Sequence, residues 1–135
     1  MNDIISLLRS SDPTRVAKGI VMGEEALTNA SVAPPDRTLI RDALVAIADA
    51  DPPHPLAGSA IWALGKLRDE TLRPLFIKFL QRSVENLRSN GGDLWQAIIA
   101  LADCGEETLN VSGGVLDFER NHSLAIEFLR REGLL

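Results

Sequence analysis

The sequence predicts an all-α chain built from repeated helical hairpins. Three observations predict it. Apolar residues recur at spacings of three and four through every long segment, Pro, Gly, Asn and Asp clusters punctuate those segments, and one stretch of thirteen residues recurs 37 positions later. Composition agrees: 45% hydrophobic and 24% charged residues are a globular balance, and 135 residues can bury a core without cross-links. Aromatic residues make up only 4%, with no Tyr, so short aliphatic side chains must fill that core, which suits helix packed on helix.

Taken in order, a short apolar start at Ile4 to Leu8 precedes Asp12-Pro13, an N-cap followed by a first-turn proline, and a helix runs from there to about Asn29. Pro34-Pro35-Asp36 closes the connection to a second helix, Arg37 to Ala50, with Leu39, Ile40, Ala43, Leu44 and Ile47 on one face. Asp51-Pro52-Pro53 stops it. A third helix spans Pro55 to Leu67, and Asp69-Glu70 leads into a fourth from Thr71 to about Arg88. Asn90-Gly91-Gly92 breaks the chain before a fifth, Asp93 to Cys104, and a sixth runs from near Glu119 to Glu132.

The repeat is explicit. Residues 60–72, AIWALGKLRDETL, align without gaps on residues 97–109, AIIALADCGEETL, with seven of thirteen positions identical. Leu75-Phe76-Ile77-Lys78-Phe79-Leu80 resembles Leu124-Ala125-Ile126-Glu127-Phe128-Leu129 at an offset of 49, so the last repeat carries 12 extra residues, around Asn110 to Asn121. A first repeat opened by Asp12-Pro13 departs further, since it brings Glu24 and Glu25 near positions that are apolar or small in the second.

The stretch from Asp51 to Glu70 resembles a HEAT-like repeat: Asp-Pro opens helix A, an Ala-Leu-Gly-x-Leu segment fills it, an acidic turn follows, and Leu72-Arg73-Pro74-Leu75 starts helix B. The resemblance implies a right-handed α-α solenoid of about three HEAT-like hairpins, one domain over 1–135 with repeats near 12–50, 51–90 and 93–133. Such units stack because no single hairpin can bury its apolar face alone. The resemblance also implies a non-catalytic binder whose B helices line a concave face. Small bacterial members of this kind include toxin-neutralising immunity proteins and subunits of larger complexes, while HEAT-like DNA glycosylases and bilin lyases are the enzymatic alternatives.

Charge and motifs bound the function. A net charge of −5 and a pI near 5.0 disfavour nucleic acid as a partner. The N-terminal residues lack a signal-peptide pattern and no stretch is apolar over the length of a membrane span, so a cytoplasmic chain is expected, with no membrane partner. No cofactor or metal is expected: Cys104 is the only thiol, and His54 and His122 have no ligand spacing. Cys104 takes the repeat position of Leu67 and reads as a small core residue. Asp117, His122 and Ser123 are close in sequence but lack the framework of a triad. Glu24 and Glu25 point about 100° apart on a helix and read as solvated. Ser112-Gly113-Gly114 has no phosphate-loop pattern, and Gly19-x-x-x-Gly23 reads as close helix packing. Trp62 with Gly58 and Gly65, and Trp95 with Ile99 and Ala102, read as packing between A helices.

Two charge features remain. Asp69-Glu70 and Glu106-Glu107 repeat acids at equivalent turns, where they also suit helix N-termini. Opposite in sign, Arg37 and Arg41 share a face of the second helix, and Lys78, Gln81 and Arg82 a face of the fourth. With Glu127 they form the expected contact strip for another protein with an acidic surface, joined by the 110–121 loop. The apolar Gly133-Leu134-Leu135 leaves self-association open.

Overall fold

Capping chemistry sets where the helices begin. The structure, a computed structural model, describes residues 2–29, 32–85, 91–106, 109 and 118–135, and every regular element among them is helical. They are α1 (Asn2–Leu8), α2 (Pro13–Thr28), α3 (Pro34–Ala48), α4 (Ala57–Gly65), a single 3-10 turn (Glu70–Leu72), α5 (Arg73–Glu85), α6 (Gly91–Asp103) and α7 (Phe118–Arg131). Ahead of α2, extended Asp12 accepts the Thr14 N–H on its carboxylate at 3.0 Å, the predicted cap. Helix α3 begins three residues before the predicted Arg37. Pro34 and Pro35 lie inside its first turn, where a missing N–H leaves no helical bond unmade. Helix α4 is shorter than predicted: the His54 ring accepts the Leu56 N–H at 2.9 Å and its carbonyl the Ala57 N–H at 3.0 Å, holding Pro55-Leu56 in a turn.

The chain divides into two compact units, 1–67 and 68–135, and the division falls inside the segment expected to be the second repeat. In the first unit α1 packs on α2 and α3, α2 on α3 and α4, and α3 on α4. The predicted apolar start is thus a helix with a buried face, Ile4 and Leu8. Val16, Ile20, Leu27, Ile40, Leu44, Ile61 and Leu64 complete this core, each such side chain adding about 1.5–3 kcal/mol on burial. The Gly-x-x-x-Gly pair does pack closely. A Cβ at Gly19 would lie 2.9 Å from Leu7 Cβ and 3.1 Å from Leu8 N, and one at Gly23 would lie 3.2 Å from Ile40 Cγ2.

In the second unit α5 packs on α6 and α7, and α6 on α7, around Phe76, Leu80, Leu94, Ile98, Leu101 and Phe128. Helices α6 and α7 both end in Schellman turns. Gly105 (φ 96°) is followed by Glu106, whose N–H reaches Leu101 O at 3.1 Å, and Gly133 (φ 74°) by Leu134, whose N–H reaches Leu129 O at 2.9 Å. Arg68, 37 residues before Gly105, also has a left-handed backbone, φ 51°.

Candidate functional site

The six residues expected to contact a partner fall in both units: Arg37 and Arg41 on α3 in the first, and Lys78, Gln81 and Arg82 on α5 with Glu127 on α7 in the second. Their settings differ. Arg37 is half-buried and its guanidinium donates to Leu27 O at 2.7 Å, so it satisfies a carbonyl at the end of α2 and serves the fold. Arg41 keeps 31% of its side chain exposed, with Nη1 3.7 Å from Asp42. On α5 the side chains of Phe76, Phe79, Leu80 and Ser83 are buried, while Lys78 is exposed and Gln81 and Arg82 half-buried beside it. Burial raises the Asp93 carboxyl at the start of α6 above its ordinary value, against the attraction of Arg82, so Arg82 already faces an acid of its own unit. Glu127 is exposed.

Residues 110–117 of the expected contact loop, with Asp117 and Ser112-Gly113-Gly114 among them, lie outside the described residues, as does Glu107; 118–121 form the first turn of α7. His122 is half-buried and Ser123 exposed on that helix. Among the described residues no group of three or more His, Cys, Asp or Glu could hold a metal, and no helix is long and apolar enough to cross a membrane.

Two expectations about the core need correction. Cys104 is not a core residue: α6 ends at Asp103, so the thiol stands half-exposed in the turn and reaches Asp69 O at 3.8 Å. Burial nevertheless raises its pKa, with Asp103, Glu70 and Asp69 adding to the shift and Arg73 opposing it, a setting that suppresses the thiolate a nucleophile needs. Leu39 is likewise not on the buried face of its helix, being 50% exposed. The acidic turns serve the fold. Asp69 accepts from Thr71 N at 2.9 Å, and Glu106 accepts from Arg73 Nε at 3.0 Å.

Two arrangements were not legible in the sequence. Arg73 donates to Glu106 and, through Nη2, to Glu132 at 2.8 Å, and its Cζ lies 5.9 Å from the Phe128 ring centroid. No local pattern marks this clamp, because its partners are 33 and 59 residues away. The second is a groove of about 340 Å³ in the first unit, lined by Leu8, Arg9, Leu39, Asp42, Ala43, Ala46, Ile47, Ala50 and His54. Its one sequence signal is the run 39, 42, 43, 46, 47 and 50, a helical stripe in which small residues outnumber large ones. Comparison with known proteins finds no family model, no characterised protein and no solved structure that matches this chain.

Proposed function

We propose that the chain is a non-catalytic protein-binding module, its helices arranged as HEAT-like hairpins, with a toxin-neutralising immunity role as the most specific form of that reading. The observation that carries it is on α5. This helix buries a stripe of Phe76, Phe79, Leu80 and Ser83 and turns Lys78 to solvent, with Gln81 and Arg82 along the same flank. Long polar side chains fixed on a rigid helix favour recognition of another surface, and they need no pocket for a small substrate. The suppressed thiol of Cys104 argues against nucleophilic chemistry there.

A second reading, a structural subunit that joins copies of itself or a larger assembly, is favoured by the exposure of Leu134 (43%) and Leu135 (63%). Its test is the mass of the chain in solution.

The test of the binding reading is capture of the native partner from the source cells, followed by titration with purified components. Lys78→Glu should weaken that complex about tenfold, as loss of a contact worth more than 1 kcal/mol does. The thermal midpoint should stay within the shift that an exposed substitution of about 0.5 kcal/mol produces. Unchanged affinity would remove α5 from the interface.

A further inference from the structure

We propose that the groove along α3 in the first unit receives an acidic, apolar segment of a partner protein: a bulky apolar side chain seats over Leu39, Ala43 and Ile47, and a neighbouring carboxylate meets Arg9. This rests on the protein-binding reading and names the chemistry of one contact.

The shape comes from the spacing of small residues. Leu39, Ala43, Ala46, Ile47 and Ala50 recur at three and four along α3 and just beyond it, a stripe of three turns and about 16 Å. Elsewhere in this unit such stripes are buried against a neighbouring helix, whereas here Leu39 keeps 50% of its surface in water. The alanines leave depth rather than filling it. Leu8 and Arg9 at the end of α1 and His54 ahead of α4 close the sides, enclosing about 340 Å³. That is the lower range of sites that hold more than a single small group. A large apolar guest over small residues is the complement of this floor, and it would remove Leu39 from solvent at the same time.

The rim selects the charge of the guest. Arg9 is exposed and, among the described residues, makes no ion pair. The one carboxylate of the lining, Asp42, already stands 3.7 Å from the Arg41 guanidinium. His54 Nδ1 accepts the Leu56 N–H, so the imidazole making that bond carries its proton on Nε2, where it is a donor. The described lining residues therefore offer a cation and a donor, and the Arg41 guanidinium stands beside the one acid among them, Asp42. An acceptor of negative charge beside the apolar side chain answers both, and a Lys or Arg there would meet Arg9.

The experiment is selection of random twelve-residue peptides displayed on phage against the immobilised full-length chain, followed by calorimetry with the synthetic winners. The expected winners carry Leu, Ile, Met or Phe within a turn of Asp or Glu. Their affinity should fall about tenfold with Leu39→Glu and about threefold or more with Arg9→Glu, and hold with Arg9→Lys. Both positions are exposed, and circular dichroism checks that each variant is folded. Because Lys78 is not part of the groove lining, Lys78→Glu should leave peptide binding intact, so the groove and the α5 contact can fail separately. Failure to enrich any sequence, winners with basic residues beside the apolar one, or affinity indifferent to Leu39→Glu would each overturn the proposal. So would a dimer in solution that Leu39→Glu dissociates, since a second copy would then be the occupant.

Discussion

Arg68 shows how one residue can carry a backbone better suited to another. Its φ of 51° is left-handed, and the residue aligned with it 37 positions on is Gly105, at φ 96°. A side chain in that region crowds its own carbonyl at a cost of about 1–2 kcal/mol, part of which glycine returns in unfolded-state entropy. Arg68→Gly should therefore stabilise the chain by about 0.5–1 kcal/mol, read as a higher urea midpoint at unchanged slope. A lower midpoint would mean that the Arg68 side chain contributes more than its backbone costs. The thirteen-residue alignment sets these two positions opposite one another. Side-chain settings at helix ends are hard to read from sequence for a common reason. Arg37 and Cys104 sit at helix ends, where a shift of two or three residues decides whether a side chain reaches a carbonyl, a solvent-facing turn or the core.

At the scale of elements, Arg73 ties three together: it opens α5, Glu106 follows the end of α6, and Glu132 follows the end of α7. The guanidinium is about one-third exposed, at 34%, so water and salt screen the pairs and each contributes modestly. A double-mutant cycle of Arg73→Met and Glu132→Gln should give a coupling of about 0.5–1 kcal/mol that shrinks in 1 M NaCl. A coupling that ignores salt would mean that the Arg73–Glu132 contact is not chiefly ionic. The helices themselves were legible, since Asp12-Pro13, Pro34-Pro35 and Gly91-Gly92 each mark a start to within three residues. The clamp was not, because the sequence shows a charge but not which distant charge it meets.

The pH dependence of stability is a property of the whole molecule, and Asp93 bends it. Burial raises the folded-state pKa of this carboxyl despite Arg82, so folding favours its protonated form. Its contribution is full below the ordinary aspartate range, about pH 4, and is lost as pH rises through the raised value. Relative to Asp93→Asn, the wild-type thermal midpoint should fall as pH climbs from about 4 towards neutrality. A difference that stays constant or reverses would show that Arg82 and the positive end of α6 outweigh the burial. At this scale the all-helical class was plain from period and punctuation, but the grouping of helices was not. The alignment of residues 60–72 on 97–109 marks matching helix ends, since α4 and α6 are each followed by a left-handed residue, Arg68 and Gly105. Which helix packs on which depends on the relief of whole faces, and α4 is grouped with α2 and α3 while α5 is grouped with α6 and α7.

That relief is most exacting on α2. Gly19 admits the end of α1, and one turn later Gly23 admits Ile40 of α3. A residue inserted or deleted between the two glycines would swing one notch about 100° away from its neighbour, closing a space that only hydrogen now occupies. The interval between 19 and 23 is therefore fixed in length as well as in composition, whereas exposed Thr28 and Asn29 at the far end of the same helix face no such limit. Length variation in this chain should spare the middle of α2 and collect where helices meet solvent.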